Sequence, residues 1–365
     1  MNRQFIRFTL AVATLAAGTL AFCFQYSYGQ IPVSRSARPL VVLSYGGAFE
    51  KAQRAAFFDP FTRQSGIPVV SASYGGEYGK LKATVQAAES SRQPVEYDVV
   101  DIESSALVRG TREGIFVPID SAKVNTANMI PEAVNTYGIG TDLYSVSLGW
   151  STKAFPVSRP QPASWADFWD VKRFPGPRAL KKDAKFTLEI ALLADGVPRD
   201  KIYVGGLDVR RAFRSLDRIK PHVKVWWTTG QQPIQLLADG EVVMAAAFGA
   251  RLFSAERTDK RPLRMTWNDG VLDLEYWAIL KGARNADLSM RFISFASQAA
   301  QQAELPKHLP LGPVNTKAFD LLPPELKNEL NTSPRNYRRQ LLLNVEFWGD
   351  HDAELQEQFN RWLGQ

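Results

Sequence analysis

Cysteine is almost absent from this 365-residue chain, Cys23 being the only one. No internal disulfide can form, and once the leader described below is set aside no thiol nucleophile remains, so stability must come from a packed core. Histidine is nearly as scarce. His222, His308 and His351 stand alone in the sequence, none with another at metal-ligand spacing, and neither H-E-x-x-H nor G-x-S-x-G occurs. They read as surface histidines, and no catalytic constellation is left. Lys and Arg are scattered, with no basic run interleaved with aromatics, so the formal charge of +7 is ordinary surface charge and no nucleic-acid partner is expected. The G-x-G-x-x-G fingerprint is missing, no low-complexity linker divides the chain, and no cofactor is called for.

What is present begins with a leader. Arg3 and Arg7 precede an apolar stretch from Phe8 to Phe24, followed by the small residues Ser27 and Gly29. That order predicts a secretory signal over residues 1–29, cleaved after Gly29, and an exported, periplasmic protein. An uncleaved membrane anchor is the competing reading, because the apolar run is near the short limit for a span. Phe22 argues against lipid modification of Cys23, since it occupies a position where lipoprotein signals want a small residue. The remaining chain is long enough for two domains.

A repeated device follows. PLVVLSYGGAFEKAQRAAFF and IPVVSASYGGEYGKLKATVQAA each run from an apolar strand through a Tyr-Gly-Gly turn into a helix. Leu40 to Leu43 has strand length, Gly46 and Gly47 permit the turn, and Phe49, Ala52 and Ala56 recur at helical spacing. Asp59-Pro60 reads as the cap and first position of a short second helix closed by Gly66. Two such units place two bare-backbone turns side by side at the carboxyl ends of a parallel sheet, where open α/β sheets bind ligands. A close turn with no ligand is the plainer alternative for each.

Further along, VEYDVVDIES predicts a third strand and SALVRGTREG a helix, and a long strand is expected in LYSVSLGWSTKAFP. A second α/β series then runs through SWADFWD, with Ser164 and Asp167 at capping-box spacing, PRALKKD, LDVRRAFRSLDRIK, VKVWW, QQPIQLLADG and EVVMAAAF. Two more strands are expected in RMTWNDGVLDLEYWAIL, then the LSMRFISFASQAAQQ helix and a C-terminal helix packed through Leu355, Phe359 and Trp362. Segments 143–150 and 271–280 are the best candidates for crossings between two α/β lobes, and two crossings make a hinge.

In VLDLEYWAIL, a period of two puts Asp273, Glu275 and Trp277 on one strand face, where two carboxylates and an indole could hold a cation. A solvated strand face with a partly buried Trp277 is the plainer reading. Asp183 ends PRALKKD before a helix, as a ligand carboxylate or an N-cap. Tyr45, Tyr74, Gly75 and Glu77 lie on the two turns with Gly46 and Gly47. Trp226 and Trp227 point to opposite faces, so at most one lines a given cleft. Phe248, Trp267 and Trp150 divide between core and cleft, core being favoured. Glu103, at the end of the third strand, and Trp227 with Thr228 complete the candidate set.

These segments in this order resemble the periplasmic solute-binding proteins of ABC importers, in particular the spermidine/putrescine-binding family. The likeness runs from about Pro39 to Leu363 and rests on FFDPFTRQSGIPVV, YDVV, SWADFWD, KKDAKF, ADGEVVMAAAFGA, DLEYWAIL and ISFASQ. It implies a two-lobe α/β periplasmic binding protein fold, type II-like, with mixed sheets flanked by helices and joined by two crossing strands. The lobes would comprise 38–145 with 276–312, and 146–275 with 313–365. It also implies a monomer with no enzymatic activity that hands a polyamine such as putrescine or spermidine to an inner-membrane permease. By the same resemblance Asp183 and Glu275 stand where polyamine binders carry Asp residues, Tyr45 near a first-turn aromatic, and Phe248 in place of a common Trp. Phe186 departs from the pattern, replacing a second carboxylate, and Lys181 and Lys182 add positive charge. A smaller amine, or a zwitterion or other anion with its carboxylate at Gly46 or Gly75, is therefore an alternative. An exported hydrolase is another.

Overall fold

The computed structural model describes residues 38–365, so the leader expected at 1–29 lies outside the described residues. Within them the strands are β1 (Leu40–Ser44), β2 (Val69–Ser73), β3 (Val99–Glu103), β4 (Phe116–Val117), β5 (Val134–Asn135), β6 (Gly138–Ser151), β7 (Arg178–Lys181), β8 (Val223–Trp227), β9 (Met244–Phe248), β10 (Leu263–Leu280) and β11 (Leu341–Leu342). They join in one sheet whose main path runs β2-β1-β3-β10-β6-β9-β7-β8. Parallel sets stand at either end, β2-β1-β3 and β9-β7-β8, and the long antiparallel pair β6 and β10 connects them. The parallel strands read as nearly unbroken apolar runs because helices cover both faces. Val42, Leu43, Val99, Val100 and Met244 to Ala247 are all buried. This is the mixed α/β architecture expected of the two-lobe fold, and segments 143–150 and 271–280 lie on its long antiparallel pair.

Two local expectations change. The two strands expected in RMTWNDGVLDLEYWAIL are one 18-residue strand, β10. Its register against β6 skips between Thr266 and Val271, and Asp269 takes φ +55. The turn-forming Asn268-Asp269-Gly270 is absorbed as an irregularity because the residues on both sides pair with the same neighbour. Asp59 is not a helix cap either. Helical structure is continuous from Gly47 to Ser65 through a π turn at Arg54–Phe58, where the Asp59 N–H donates to the Arg54 carbonyl. Pro60 lacks the N–H that a regular turn would use, and the widened turn ahead of it accommodates that loss. Gly66 does close the run in the left-handed conformation, φ +72. Ser164 caps as expected, its Oγ accepting from Asp167 N–H, but Asp167 Oδ2 reaches past the cap to accept from Ala163 N–H and does not close the box.

The register of β1 on β2, with Ser44 opposite Ser73, makes the two Tyr-Gly-Gly turns neighbours. Gly46 has φ +74, and a Cβ there would sit 2.8 Å from Ser73 Oγ, so glycine is required twice over.

Candidate functional site

Strand register assembles a row of carboxylates. Glu103 on β3 stands opposite Glu275 on β10, and Glu275 stands opposite Asp142 on β6. Directly opposed residues share a sheet face, so three acids lie side by side across three strands. A fourth, Asp101, is opposite Trp277. Asp101 accepts from Gln53 Nε2 and from Thr141 Oγ1 at 3.2 Å, while Gln53 is itself held by Ser44 Oγ at 2.7 Å. Asp142 is fully buried, and neither of its oxygens has a hydrogen-bond partner. Burial pushes the Asp101 carboxyl up to about 7. Burial, then the Asp101 charge, raises Asp142, and Glu275 is raised by burial and by its acidic neighbours, Asp101 first.

The cation in this enclosure is Lys185. It follows Asp183, which caps the helix Ala184–Ala194 through Oδ1 to the Lys185 N–H at 3.1 Å. The first turn of that helix is broken: Lys185 has ψ 138 and Phe186 has φ +71. A left-handed φ on a bulky residue costs about 1–3 kcal/mol, so surrounding structure must enforce it. Phe186 is fully buried, 5.9 Å from the Tyr144 ring. The break sends the Lys185 ammonium to Glu103 Oε2 at 2.5 Å, Ser105 Oγ at 3.1 Å and Asp273 Oδ2 at 3.4 Å. Asp273 also accepts from Tyr144 OH at 3.0 Å and from Ser104 Oγ.

The two carboxylates beside Lys185 titrate in opposite directions. Burial pushes Glu103 up, but the charges of Lys185 and Lys181 and the short hydrogen bond hold it below its ordinary value. At Asp273, nearly inaccessible and farther from the ammonium, burial wins and the carboxyl is raised. Burial would lower Lys185, yet Glu103 and Asp273 together hold it well above the usual lysine range.

Aromatics flank these charges. Tyr45 stacks on Tyr74 with ring centroids 5.1 Å apart, donates its hydroxyl to Glu275 Oε2 at 3.1 Å, and accepts the Glu103 N–H at 3.1 Å. Tyr74 OH donates to the Asp101 carbonyl. On the other side Phe248 meets Tyr144 edge-on at 5.9 Å, and Lys181 Nζ lies 4.8 Å from the Phe186 ring and 5.6 Å from that of Phe248. Both signs of charge and several ring faces converge at one place. Such a place can hold a small charged molecule.

A family model described as bacterial extracellular solute-binding protein matches residues 56–332. The chain belongs to that family. This solute-binding protein is 41% identical over 327 residues to the gamma-aminobutyric acid-binding protein of Pseudomonas aeruginosa, covering 88% of this chain and 90% of the relative. Among solved structures it is similar to an ABC transporter substrate-binding protein from Bradyrhizobium japonicum USDA 110, at 38% identity and TM-score 0.83, covering 89% of this chain and 99% of that one. It is also similar to a GABA receptor, at 31% identity and TM-score 0.80, covering 89% and 98%. The solute-binding protein is thus the substrate-binding component of an ABC transporter and not an enzyme. A putrescine/cadaverine-binding protein of Pseudomonas aeruginosa matches at only 21% identity over 289 residues, so the narrower expectation of a spermidine/putrescine binder is not shown. No described helix is long and apolar enough to cross a membrane.

Of the residues singled out in the sequence, Tyr45, Tyr74, Glu103, Asp273, Glu275 and Phe248 are joined into one cluster through these contacts. Asp183 borders it, its Oδ2 paired with Lys181 at 2.5 Å, and its capping role is the plainer of the two readings. Trp227 does not reach it. Its indole is fully buried, donates to the Ala246 carbonyl at 2.8 Å and touches the site only through Phe248, 5.5 Å away, because its strand face packs into the core. Thr228, beyond the strand end, is exposed. Trp277 shares the face of Asp273 and Glu275 but lies deeper, packed on Phe57, Phe58 and Phe292. Glu77 is half exposed, pairs with Lys80 and occupies the Gly75 N–H at 2.9 Å, so that N–H is not free for a ligand carboxylate. Gly47 opens the continuous helical run Gly47–Ser65. Asp101, Asp142, Tyr144 and Lys185 went unflagged in the sequence. The D-V-V-D alternation could have pointed to Asp101, but nothing local marks the other three.

Proposed function

We propose that this protein captures a small zwitterion bearing both an ammonium and a carboxylate, with an ω-amino acid such as 4-aminobutyrate as the type. It closes two lobes on it in the periplasm and delivers it to an inner-membrane ABC permease. The expected lobe division, 38–145 with 276–312 and 146–275 with 313–365, belongs to this proposal with one change. The stretch 313–322 joins the first lobe, because Val314 and Thr316 bond Ile130 and Asn128, and Ala318 and Leu322 pack with Ala303. The single observation that carries the choice of ligand is Lys185, a buried ammonium planted beside a row of carboxylates, with Lys181 close by. Glu103 and Asp273 neutralise Lys185, so Lys181 is the lysine that meets a ligand; a polyamine carries no group for it, whereas a zwitterion offers each end a partner. Glu275 takes the ammonium, Tyr45 orients it, and Lys181 exchanges Asp183 for the ligand carboxylate. The name of the Pseudomonas relative, 41% identical, supports the same class.

A thermal-shift panel of 4-aminobutyrate, 5-aminovalerate, putrescine, spermidine and succinate tests this. At a hundred times its Kd a ligand stabilises by about 2.7 kcal/mol, an easily read rise in Tm. The ω-amino acids should produce it. A rise with putrescine or spermidine alone would restore the polyamine reading, and one with succinate alone would require an anion site.

A further inference from the structure

Asp101, Asp142 and Glu275 crowd together without forming an ion pair to any described residue, since the one buried ammonium nearby is committed to Glu103 and Asp273. Asp142 is the most exacting of the three. At 0% exposure, with both oxygens lacking partners and a carboxylate directly opposite on β10, it has no described source of compensation for a negative charge. Its other surroundings are no better suited to that charge. Gln53 and Thr141 are neutral and turned to Asp101, Gln302 donates to the Thr141 carbonyl, and the Tyr45 and Tyr74 hydroxyls go to Glu275 and to backbone. Beyond them lie Lys181, Asp183 and Asp352, grouped around Lys185. No cluster of His, Cys, Asp and Glu among the described residues is arranged for a metal ion.

We propose that Asp101, Asp142 and Glu275 hold a shared proton in the empty site and that an entering ammonium displaces it to solvent, so cargo is taken up in exchange for a proton. The balance is simple: protonated cluster plus R–NH3+ gives ionised cluster with R–NH3+ bound, and one H+ leaves. The release rests on the ammonium-ligand reading above, while the held proton does not. Burial pushes Asp101 up to about 7 and raises Glu275 and Asp142 as well, which keeps a proton on the cluster toward neutral pH. Because protonation competes with the ligand, affinity falls by about tenfold for each pH unit of acidification while the cluster holds that proton. Asp142 acts through Glu275, as a positioning residue for charge.

Two measurements test this. Infrared difference spectra of the ligand-free protein at pH 7, wild type minus Asp142→Asn, should contain a protonated-carboxyl C=O band. Its absence overturns the proposal whatever the cargo. Calorimetric titration with 4-aminobutyrate in phosphate and in Tris should give enthalpies that differ by the buffers' ionisation heats for about one proton released. Equal enthalpies also overturn it. Asp142→Asn should shift the acid loss of affinity to lower pH, whereas a purely structural role would weaken binding by one factor at every pH. The infrared band without any 4-aminobutyrate binding would sink the zwitterion reading and leave the proton-holding cluster standing.

Discussion

Replacing Lys185 by Met keeps the length of the side chain and removes its charge, leaving Glu103 and Asp273 as neighbouring anions without their ammonium. Deleting one partner of a buried pair costs about 3–5 kcal/mol. The lower end applies, because the Glu103 side chain is 31% exposed and water screens it, although Asp273 at 1% is not screened. At about 2 °C per kcal/mol for a chain of this size, the variant should melt about 6–8 °C below wild type at pH 8 by circular dichroism. The pH dependence discriminates further. In the wild type Glu103 is held low by Lys185, so its stabilisation is present above the unfolded value of about 4.3 and lost as pH falls. Lys185 itself is raised, so its stabilisation holds below about 10.4 and is lost only on further alkalinisation. In Lys185→Met both carboxyls take up protons on acidification, and the deficit against wild type should shrink between pH 8 and pH 5. A deficit equal at both pH values, or a melting point within about 1 °C of wild type at pH 8, would refute the assignment of Lys185 as the site's charge anchor.

Glu275→Gln should weaken 4-aminobutyrate binding by more than about tenfold in a calorimetric titration at pH 8, since the ammonium loses its charge partner. Asp183→Ala removes an N-cap and should lower stability by about 1 kcal/mol in urea unfolding, with the slope of the transition unchanged. Gly46→Ala forces a methyl group onto Ser73 Oγ at a left-handed φ and should cost about 1–3 kcal/mol by the same measurement. Glu189, buried with Tyr203 OH and Trp348 Nε1 both donating to Oε1, is pushed up to about 7 by burial. Its neutral form therefore favours the fold at low pH, and that advantage drains away as pH rises from about 4.3 to 7. Glu189→Gln should gain on wild type in Tm between pH 5 and pH 8, and parallel profiles would show the carboxyl is not buried as described.

Much of the architecture was legible because it rests on period and punctuation. Apolar runs ending at Gly pairs announced β1 and β2, and the alternation in VLDLEYWAIL put Asp273 and Glu275 on one face of a crossing strand. Ser164 formed the cap its spacing to Asp167 implied. The site was legible only in part. In KKDAKF three lysines are equivalent by pattern, and only the left-handed Phe186, enforced by packing around its ring, turns Lys185 inward while Lys182 stays exposed. Asp142 was hidden because its role depends on which residue of β10 it opposes, and the register shift beside Glu275 sets that. Trp227 was misjudged for a related reason. Adjacent tryptophans must face opposite ways, but the strand's position between helices buried Trp227 and left Trp226 half-buried against Phe359 and Trp362.

By itself the sequence determined a chain that must fold on an apolar core, with two glycine-hinged turns at strand ends, two long strands able to cross between lobes, and no equipment for covalent catalysis. Those follow from side-chain chemistry and short-range geometry, which neighbours along the chain decide. Tertiary structure alone decided which charges meet. Glu103, Asp142, Lys185 and Glu275 are brought together from four separate segments, and burial together with the charges they meet there then sets the protonation each of them keeps.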